Sequence, residues 1–351
     1  MALPCLISFQ ELKDKQMNIL YLGQNNGTSK HRADALVRLG HDVKIIDPAS
    51  FIPKNYLIAK WQWETGGLFL ENYIRRQVLS SLGEYKFDIV LVNGGSLVGP
   101  ALVEDLKKYA NAVVNYNIDD PFGSRDRNFW RLYLKAVPYY DLLVVVRQIN
   151  VAEAYSLGAK KVIHVFRSAD EIAHHPRTLT HEDYTRWASD VSFVGTWMPE
   201  RGPFMAQLIE AGLPLTIYGD RWHKAKEWSV IRKVWKGKSL DGDDYAKAIQ
   251  AAKISLGLLS KGNRDLHTTR SIEIPFLGGL LCAERTSEHL KLYKEGEEAV
   301  FWSNAKECIE LCNNLVQHEE KRRTISTKGR ERCIQNQWLN QSVMFKILSE
   351  I

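Results

Sequence analysis

A chain of 351 residues with 45% hydrophobic and 25% charged content is too long for one compact α/β core and well sized for two domains. Its longest uninterrupted apolar run, 142–146 with its flanks, is far short of the roughly 20 residues that cross a bilayer. Residues 1–16 lack a basic start with an apolar stretch and cleavage site, so no secretory signal is expected; the chain is placed in the cytoplasm, and a net charge of +6 favours an anionic ligand or surface, a peripheral membrane contact included.

Beyond an N-terminal extension at 1–16, the apolar run 18–22 ending at Gly23, the polar residues 24–30 and an amphipathic stretch through Leu39 read as strand, loop and helix. Gly40 stops that helix, and 43–47 is the next strand. Further strands are expected at 87–92, 112–116, 142–146 and 162–165, with helical spacers between them. Short apolar strands alternating with helices make βαβ units and a parallel sheet. The connection 51–82 is long and carries Phe51, Tyr56, Trp61, Trp63, Phe69 and Tyr73, which fits either a functional insertion or packing against the sheet.

The pattern restarts after the polar stretch 170–189, where His174, His175 and His181 read as linker. A strand at 191–195 ends in glycine, a helix runs over about 201–211, and strands follow at 215–219, 254–259, 279–282 and 299–301. The fold class is therefore α/β, with two Rossmann-like domains facing across a ligand cleft. The boundary is expected near 170–190, giving a first domain at 17–175, a second at 176–333 and a C-terminal helix at 334–351 with no clear allegiance.

The 5 cysteines form no C-x-x-C pair, and Cys308 and Cys312 lie one helical turn apart. Reduced, buried thiols are expected, with no disulfide and no cysteine-held metal. The 10 tryptophans are the compositional oddity, since indoles serve cores, sugar-stacking platforms and wet interfaces alike. Trp61, Trp63, Trp197, Trp222, Trp228 and Trp235 fall beside candidate ligand segments, so the excess is expected on ligand-facing surfaces rather than in the core.

The loop Gly23-Gln-Asn25-Asn26-Gly27 is not a G-x-G-x-x-G dinucleotide fingerprint. It demands close backbone approach to something, either a ligand on the acceptor side or merely the following helix. In Phe193-Val-Gly195-Thr196-Trp-Met-Pro-Glu-Arg201-Gly202 a strand ends in glycine and a cation opens a helix, a setting that suits a diphosphate, with a surface arginine at a turn as the alternative. In Asp265-Leu-His-Thr-Thr-Arg270-Ser-Ile-Glu273-Ile-Pro-Phe-Leu-Gly278-Gly279 two carboxylates flank an arginine. A carboxylate is the natural bidentate partner of vicinal ribose hydroxyls, so this stretch fits a sugar or nucleotide site.

These motifs, with Ile217-Tyr-Gly219, Glu295-Gly-Glu-Glu-Ala-Val-Phe301, Tyr116-Asn-Ile-Asp119-Asp120-Pro121 and Lys328-Gly-Arg-Glu-Arg332 in this order, resemble the CgeB-like branch of the GT-B glycosyltransferases, related to the group 1 or family 4 enzymes. The resemblance covers the chain from about residue 18 onward. It implies a retaining transferase that takes a nucleotide diphosphate-sugar, UDP favoured, in the second domain and an acceptor in the first, with the C-terminal helix returning to the first. It further implies that Gly195, Thr196, Arg201, Gly219, Arg270 and Glu273 bind the donor, Arg201 on phosphate and Glu273 on ribose, while Asp265 lies near the sugar. Thr196 departs from the arginine common at its position, and Asp265 from glutamate; Arg270 compensates for the former.

Asp119 or Asp120, at a strand end, would orient or deprotonate an acceptor hydroxyl or stabilise an oxocarbenium-like transition state, against the alternative of an N-cap and proline turn. Asp241-Gly-Asp243-Asp244 has the D-x-D form of metal-dependent transferases, but it precedes a helix and reads as a cap. With Arg201, Arg270 and a helix N-terminus supplying charge, no metal is expected. The segment 221–238 holds seven Lys/Arg against one acidic residue and reads as one amphipathic helix, or as a contact for lipid head groups or nucleic acid. The expected acceptors are a polysaccharide, a lipid-linked glycan, a protein or a modified DNA base. A sugar-nucleotide epimerase or a non-catalytic nucleotide-sugar-binding module are the competing readings.

Overall fold

The computed structural model describes residues 16–351, so the expected extension at 1–16, except Gln16, and Cys5 lie outside the described residues. The chain divides into two units. The first runs to Phe166 and includes Gly262–Arg264 and Asn340–Ile351; the second comprises Arg167–Lys261 and Asp265–Leu339.

The first unit contains β1 (Asn18–Leu22), α1 (Gly27–Arg38), β2 (Asp42–Ile46), α2 (Tyr56–Thr65), α3 (Leu70–Leu82), β3 (Phe87–Asn93), α4 (Pro100–Leu106), β4 (Ala110–Asn117), α5 (Arg131–Ala136), β5 (Leu142–Val145), α6 (Gln148–Ser156) and β6 (Val162–His164). Its six strands are parallel in the order β2-β1-β3-β4-β5-β6. Strands covered on both faces read as continuous apolar runs, and their side chains alternate between two cores. Leu20 and Leu22 of β1 join Val90 and Val92 of β3 in one core, while Ile19 and Tyr21 join Ile89 and Leu91 in the other. The long connection becomes a helical pair. Asn55 caps α2 through the Leu57 N–H, Gly66 ends it at φ 67°, and α3 buries Ile74, Val78 and Leu82 along one face. Tyr56, Leu57, Trp63 and Phe69 stay exposed.

The second unit contains α7 (His181–Trp187), β7 (Ser189–Val194), α8 (Arg201–Glu210), β8 (Leu215–Tyr218), α9 (Trp228–Ile231), β9 (Trp235–Gly237), α10 (Gly242–Ala251), β10 (Ala252–Gly257), α11 (Arg270–Phe276), β11 (Leu281–Glu284), α12 (Ser287–Leu292), β12 (Val300–Trp302), α13 (Ala305–Gln317) and α14 (Glu319–Gln335). Its sheet is also six-stranded and parallel, in the order β12-β11-β10-β7-β8-β9. The last helix, α15 (Asn340–Ser349), lies with the first unit, where Val343, Met344 and Ile347 share a core with Leu36 of α1. Among the described residues no helix is long and apolar enough to cross a membrane.

Three expectations are corrected. The division falls at 166/167, ahead of the 170–190 stretch, because Arg167 is bonded to Asp265 and His267 of the second unit. The segment 221–238 is not one helix but a turn of 3-10 helix, the single-turn α9 and the edge strand β9. The tryptophans are not mainly a surface feature. Trp130, Trp187, Trp222 and Trp302 are buried, and Trp222 and Trp235 donate to the carbonyls of Gly195 and Gly219. The described cysteines are free and buried, in line with the expectation of buried thiols, and Cys308 and Cys312 on the buried face of α13 meet Cys282 of β11, the three thiols lying within 4.8 Å of one another in the core.

Candidate active site

In open α/β sheets ligands gather beyond the carboxyl ends of the strands, where the strand order reverses. In the first unit that point lies between β1 and β3. A cavity of about 220 Å³ is lined there by Gly23 after β1, Asp47 after β2, Gly94 and Gly95 after β3, and Asp119 beyond β4. At Gly23 a Cβ would fall 2.7 Å from the Tyr21 ring and 2.9 Å from Ser29 Oγ, so its close approach is to the chain's own strand and following helix. Asn25, Asn26 and Gly27 are exposed at the entry to α1 and do not line the cavity.

The two adjacent aspartates have different surroundings. Asp119 faces the cavity, its backbone N–H donating to Asn117 Oδ1 at 2.9 Å. Asp120 is 2% exposed; its carboxylate accepts from Arg264 at 2.6 and 2.7 Å and from Asn150 at 3.0 Å. Burial pushes the Asp120 carboxyl up, but the Arg264 and Asn150 hydrogen bonds and the nearby guanidinium charges outweigh it and hold it below the usual carboxylate range.

In the second unit the strand order reverses between β7 and β10. Two guanidinium groups are anchored there by backbone carbonyls. Arg201, 5% exposed at the start of α8, donates to Thr196 O at 2.7 Å, Leu258 O at 3.2 Å and Leu259 O at 3.1 Å. Arg270 at the start of α11 donates to Val194 O at 2.5 Å. Neither forms an ion pair with a carboxylate among the described residues. Burial first, and the Arg270 charge second, depress Arg201 to about 10, so it stays charged at neutral pH. Carbonyls fix these cations in place without cancelling their charge.

The glycines here serve close packing. Gly219, at φ 151°, lies so near Gly195 that a Cβ would come within 1.9 Å of the Gly195 carbonyl oxygen. Thr196, half-buried after β7, contributes the carbonyl that receives Arg201. A cavity of about 200 Å³ beyond β10, β11 and β12 is lined by Arg201, Phe204 and Trp302, among others, but not by Arg270 or Glu273.

Both acidic residues of the 265–273 stretch are buried and hydrogen-bonded. Asp265 accepts from Arg167 at 3.1 Å. Glu273 accepts from the Tyr245 hydroxyl at 2.8 Å on one oxygen, and His174 Nε2 lies 3.3 Å from the other. His174 is thus not plain linker, and with Arg167 and Tyr245 it was not legible as part of a site, since each partner is remote in sequence. His267, 2% exposed, accepts the Arg167 backbone N–H on Nε2 and faces Glu288 through Nδ1 at 2.5 Å. Of the D-x-D residues, Asp241 is the N-cap of α10 but makes no side-chain cap bond; Asp243 and Asp244 pair with Arg177 and Arg186.

Residues 201–349 match the family described as Glycosyl transferase-like. The solved structures of similar fold include sucrose-phosphate synthase from Thermosynechococcus elongatus, at 10% identity over 95% of this chain and 97% of that one, with a TM-score of 0.68. Anabaena HepE, solved with UDP and glucose, is 14% identical over 95% of this chain and 99% of its own, with a TM-score of 0.64. An alpha-glucosyltransferase solved with UDP and a 13-mer DNA containing an HMU base is 14% identical over 96% and 99%, also at 0.64. No curated protein matches the chain. The chain has the GT-B fold of these solved structures, and residues 201–349 are similar to the family described as Glycosyl transferase-like.

Proposed function

We propose that this protein transfers a hexose-like sugar from a nucleotide diphosphate donor to an acceptor hydroxyl. The observation that carries the reading is the pair of carbonyl-anchored, carboxylate-free guanidiniums, Arg201 and Arg270, at the β7 end. A doubly charged diphosphate is the ligand that such a pair stabilises, most strongly as the leaving group gains charge. Glu273 takes the ribose hydroxyls and Asp265 lies near the sugar. Asp119 serves the acceptor, orienting its hydroxyl or balancing positive charge on the sugar ring; Asp120 holds Arg264 instead. Two fixed cations make a divalent metal unnecessary for the leaving group. UDP as the nucleotide takes support from HepE, which was solved with it.

Retention of the anomeric configuration is part of the proposal, checked by NMR on the product. The experiment that tests transfer itself follows nucleotide release from UDP-, GDP- and ADP-sugars, with and without acceptors, by mass spectrometry on polysaccharide, lipid-linked glycan, protein and hydroxymethylated DNA. Release that depends on an acceptor is expected, whereas acceptor-free conversion of the donor would make the protein an epimerase. Binding without turnover would make it a binding module.

The 221–238 segment adds an anionic contact to this proposal. All seven of its cations, Arg221, Lys224, Lys226, Arg232, Lys233, Lys236 and Lys238, are exposed, and no large exposed apolar side chain lies among them. Such a surface attracts phosphate by charge alone, so binding to anionic vesicles or DNA should fall steeply with salt.

A further inference from the structure

The stretch between β6 and α7 places a nitrogen against each acidic residue of the 265–273 stretch, Arg167 against Asp265 and His174 against Glu273. Further along, the Asp170 carboxylate accepts the backbone N–H groups of Ile172 at 3.0 Å and Ala173 at 2.9 Å, closing a tight turn. The Asp170 backbone N–H donates to His174 Nδ1 at 2.9 Å. An imidazole that accepts on Nδ1 carries its proton on Nε2, and Nε2 is the nitrogen that faces Glu273 at 3.3 Å. Tyr245 donates to the other carboxylate oxygen at 2.8 Å. Burial first, and Glu273 second, hold its phenol well above the ordinary range, so it remains a donor. The two rings brace each other edge to face, 6.0 Å apart at 80°.

A glutamate carboxylate otherwise turns about a soft terminal torsion. The Tyr245 hydrogen bond on one oxygen and the His174 Nε2 at 3.3 Å from the other restrict that freedom, and each oxygen keeps a lone pair for a further hydroxyl. We propose that His174 and Tyr245 are positioning residues that set the plane of the Glu273 carboxylate, and thereby determine the preference for ribonucleotide over deoxyribonucleotide donors. This rests on the reading of Glu273 as the ribose-binding group.

The test measures Kd by calorimetry on the full chain for UDP and 2′-deoxy-UDP, with the GDP and ADP pairs in parallel. The wild-type ribose preference is expected at roughly 100-fold, because a site built to bond a hydroxyl rejects the analogue without it. Glu273→Ala should bring the ratio close to one. Tyr245→Phe should lower it about tenfold, the worth of one aligned hydrogen bond, and His174→Ala by a smaller factor of about threefold for its longer contact, with the deoxynucleotide affinity unchanged. His174→Gln, whose amide reproduces the donor at the Nε2 position, should restore much of the preference.

A purely structural role would weaken both nucleotides equally and leave the ratio intact in the His174 and Tyr245 variants, which overturns the inference. If Glu273→Ala itself keeps the wild-type ratio, the ribose assignment fails instead. If no nucleotide of the three binds, the proposed function falls. Thermal unfolding of each variant identifies one that does not fold, and the His174 Ala/Gln pair then carries the test without Tyr245→Phe.

Discussion

The strand ends of the two units handle charge in opposite ways. In the first, the cavity lining has carboxylates, Asp47 and Asp119, and no cation; the nearby cation Arg264 is taken up by Asp120 and Glu153. In the second, the cations Arg201 and Arg270 are held by carbonyls, and the carboxylates Asp265 and Glu273 are held by their own donors. Similar sheets thus present one end whose cavity lining carries carboxylates as its charged groups and one that carries two carbonyl-held guanidiniums. The difference lies in what anchors each charged side chain, because a carbonyl orients a guanidinium and a carboxylate neutralises it.

The largest test of that contrast separates the two aspartates. Asp120→Ala should cost about 3 kcal/mol of stability, since it strips a buried partner from Arg264. Asp119→Ala should leave stability within about 0.5 kcal/mol while lowering turnover by roughly 100-fold or more. Thermal denaturation and initial rates read both. Equal losses of stability would show that Asp119 is also structural.

A second test uses acid. His267 is held neutral, its pKa lowered to about 4, chiefly by burial, and Nε2 is occupied as an acceptor. A histidine depressed from about 6.5 in the unfolded chain costs nothing above that value. As pH falls below it the unfolded state takes up the proton first, so stability declines toward pH 4, by up to about 3 kcal/mol. Asp120, with its pKa lowered, works in the same direction but lower, its contribution being lost as pH drops below the unfolded carboxylate value. His267→Gln should remove the upper part of this acid limb. An unaltered slope between pH 6.5 and 4 would assign it to other groups.

Much of the fold was legible because buried parallel strands leave continuous apolar runs, as in Leu142–Val145, and because glycine and capping residues end the helices. The short edge strand Trp235–Gly237 was not, since three residues among cations carry no usable period. Within the site, Arg270 and Glu273 were legible as residue types but not their anchors. That Arg201 is held by the Leu258 and Leu259 carbonyls, or that His174 meets Glu273, depends on how distant segments fold together. The tryptophans misled for the same reason: composition counts indoles, and only tertiary packing shows that Trp222 is clamped on the Gly195 loop.

A third test bears on the anion end directly. Arg270→Ala should weaken a nucleoside diphosphate by roughly 30-fold, about 2 kcal/mol for a charge-assisted contact, and leave the parent nucleoside unaffected. Calorimetry with the two ligands decides it. If both weaken alike, Arg270 supports the β7 end through Val194 rather than meeting phosphate.

The smallest expected effect concerns Asp243 and Asp244, where the charge argument could be replaced by a metal. Asp243 is exposed and Asp244 half-buried, and they pair with Arg177 at 2.9 Å and Arg186 at 3.3 Å, contacts worth little on a surface. The double variant Asp243→Asn, Asp244→Asn should therefore change stability by less than about 1 kcal/mol and leave transfer rates unchanged, with or without a chelator. A divalent ion that held the diphosphate through these aspartates would behave differently. The double variant would lose activity, a chelator would inhibit the wild type, and added Mg²⁺ or Mn²⁺ would restore only the latter. That pattern would transfer the stabilisation of the leaving group from Arg201 and Arg270 to a metal, and the carbonyl-anchored guanidiniums would then serve to hold the ends of β7 and β10 together.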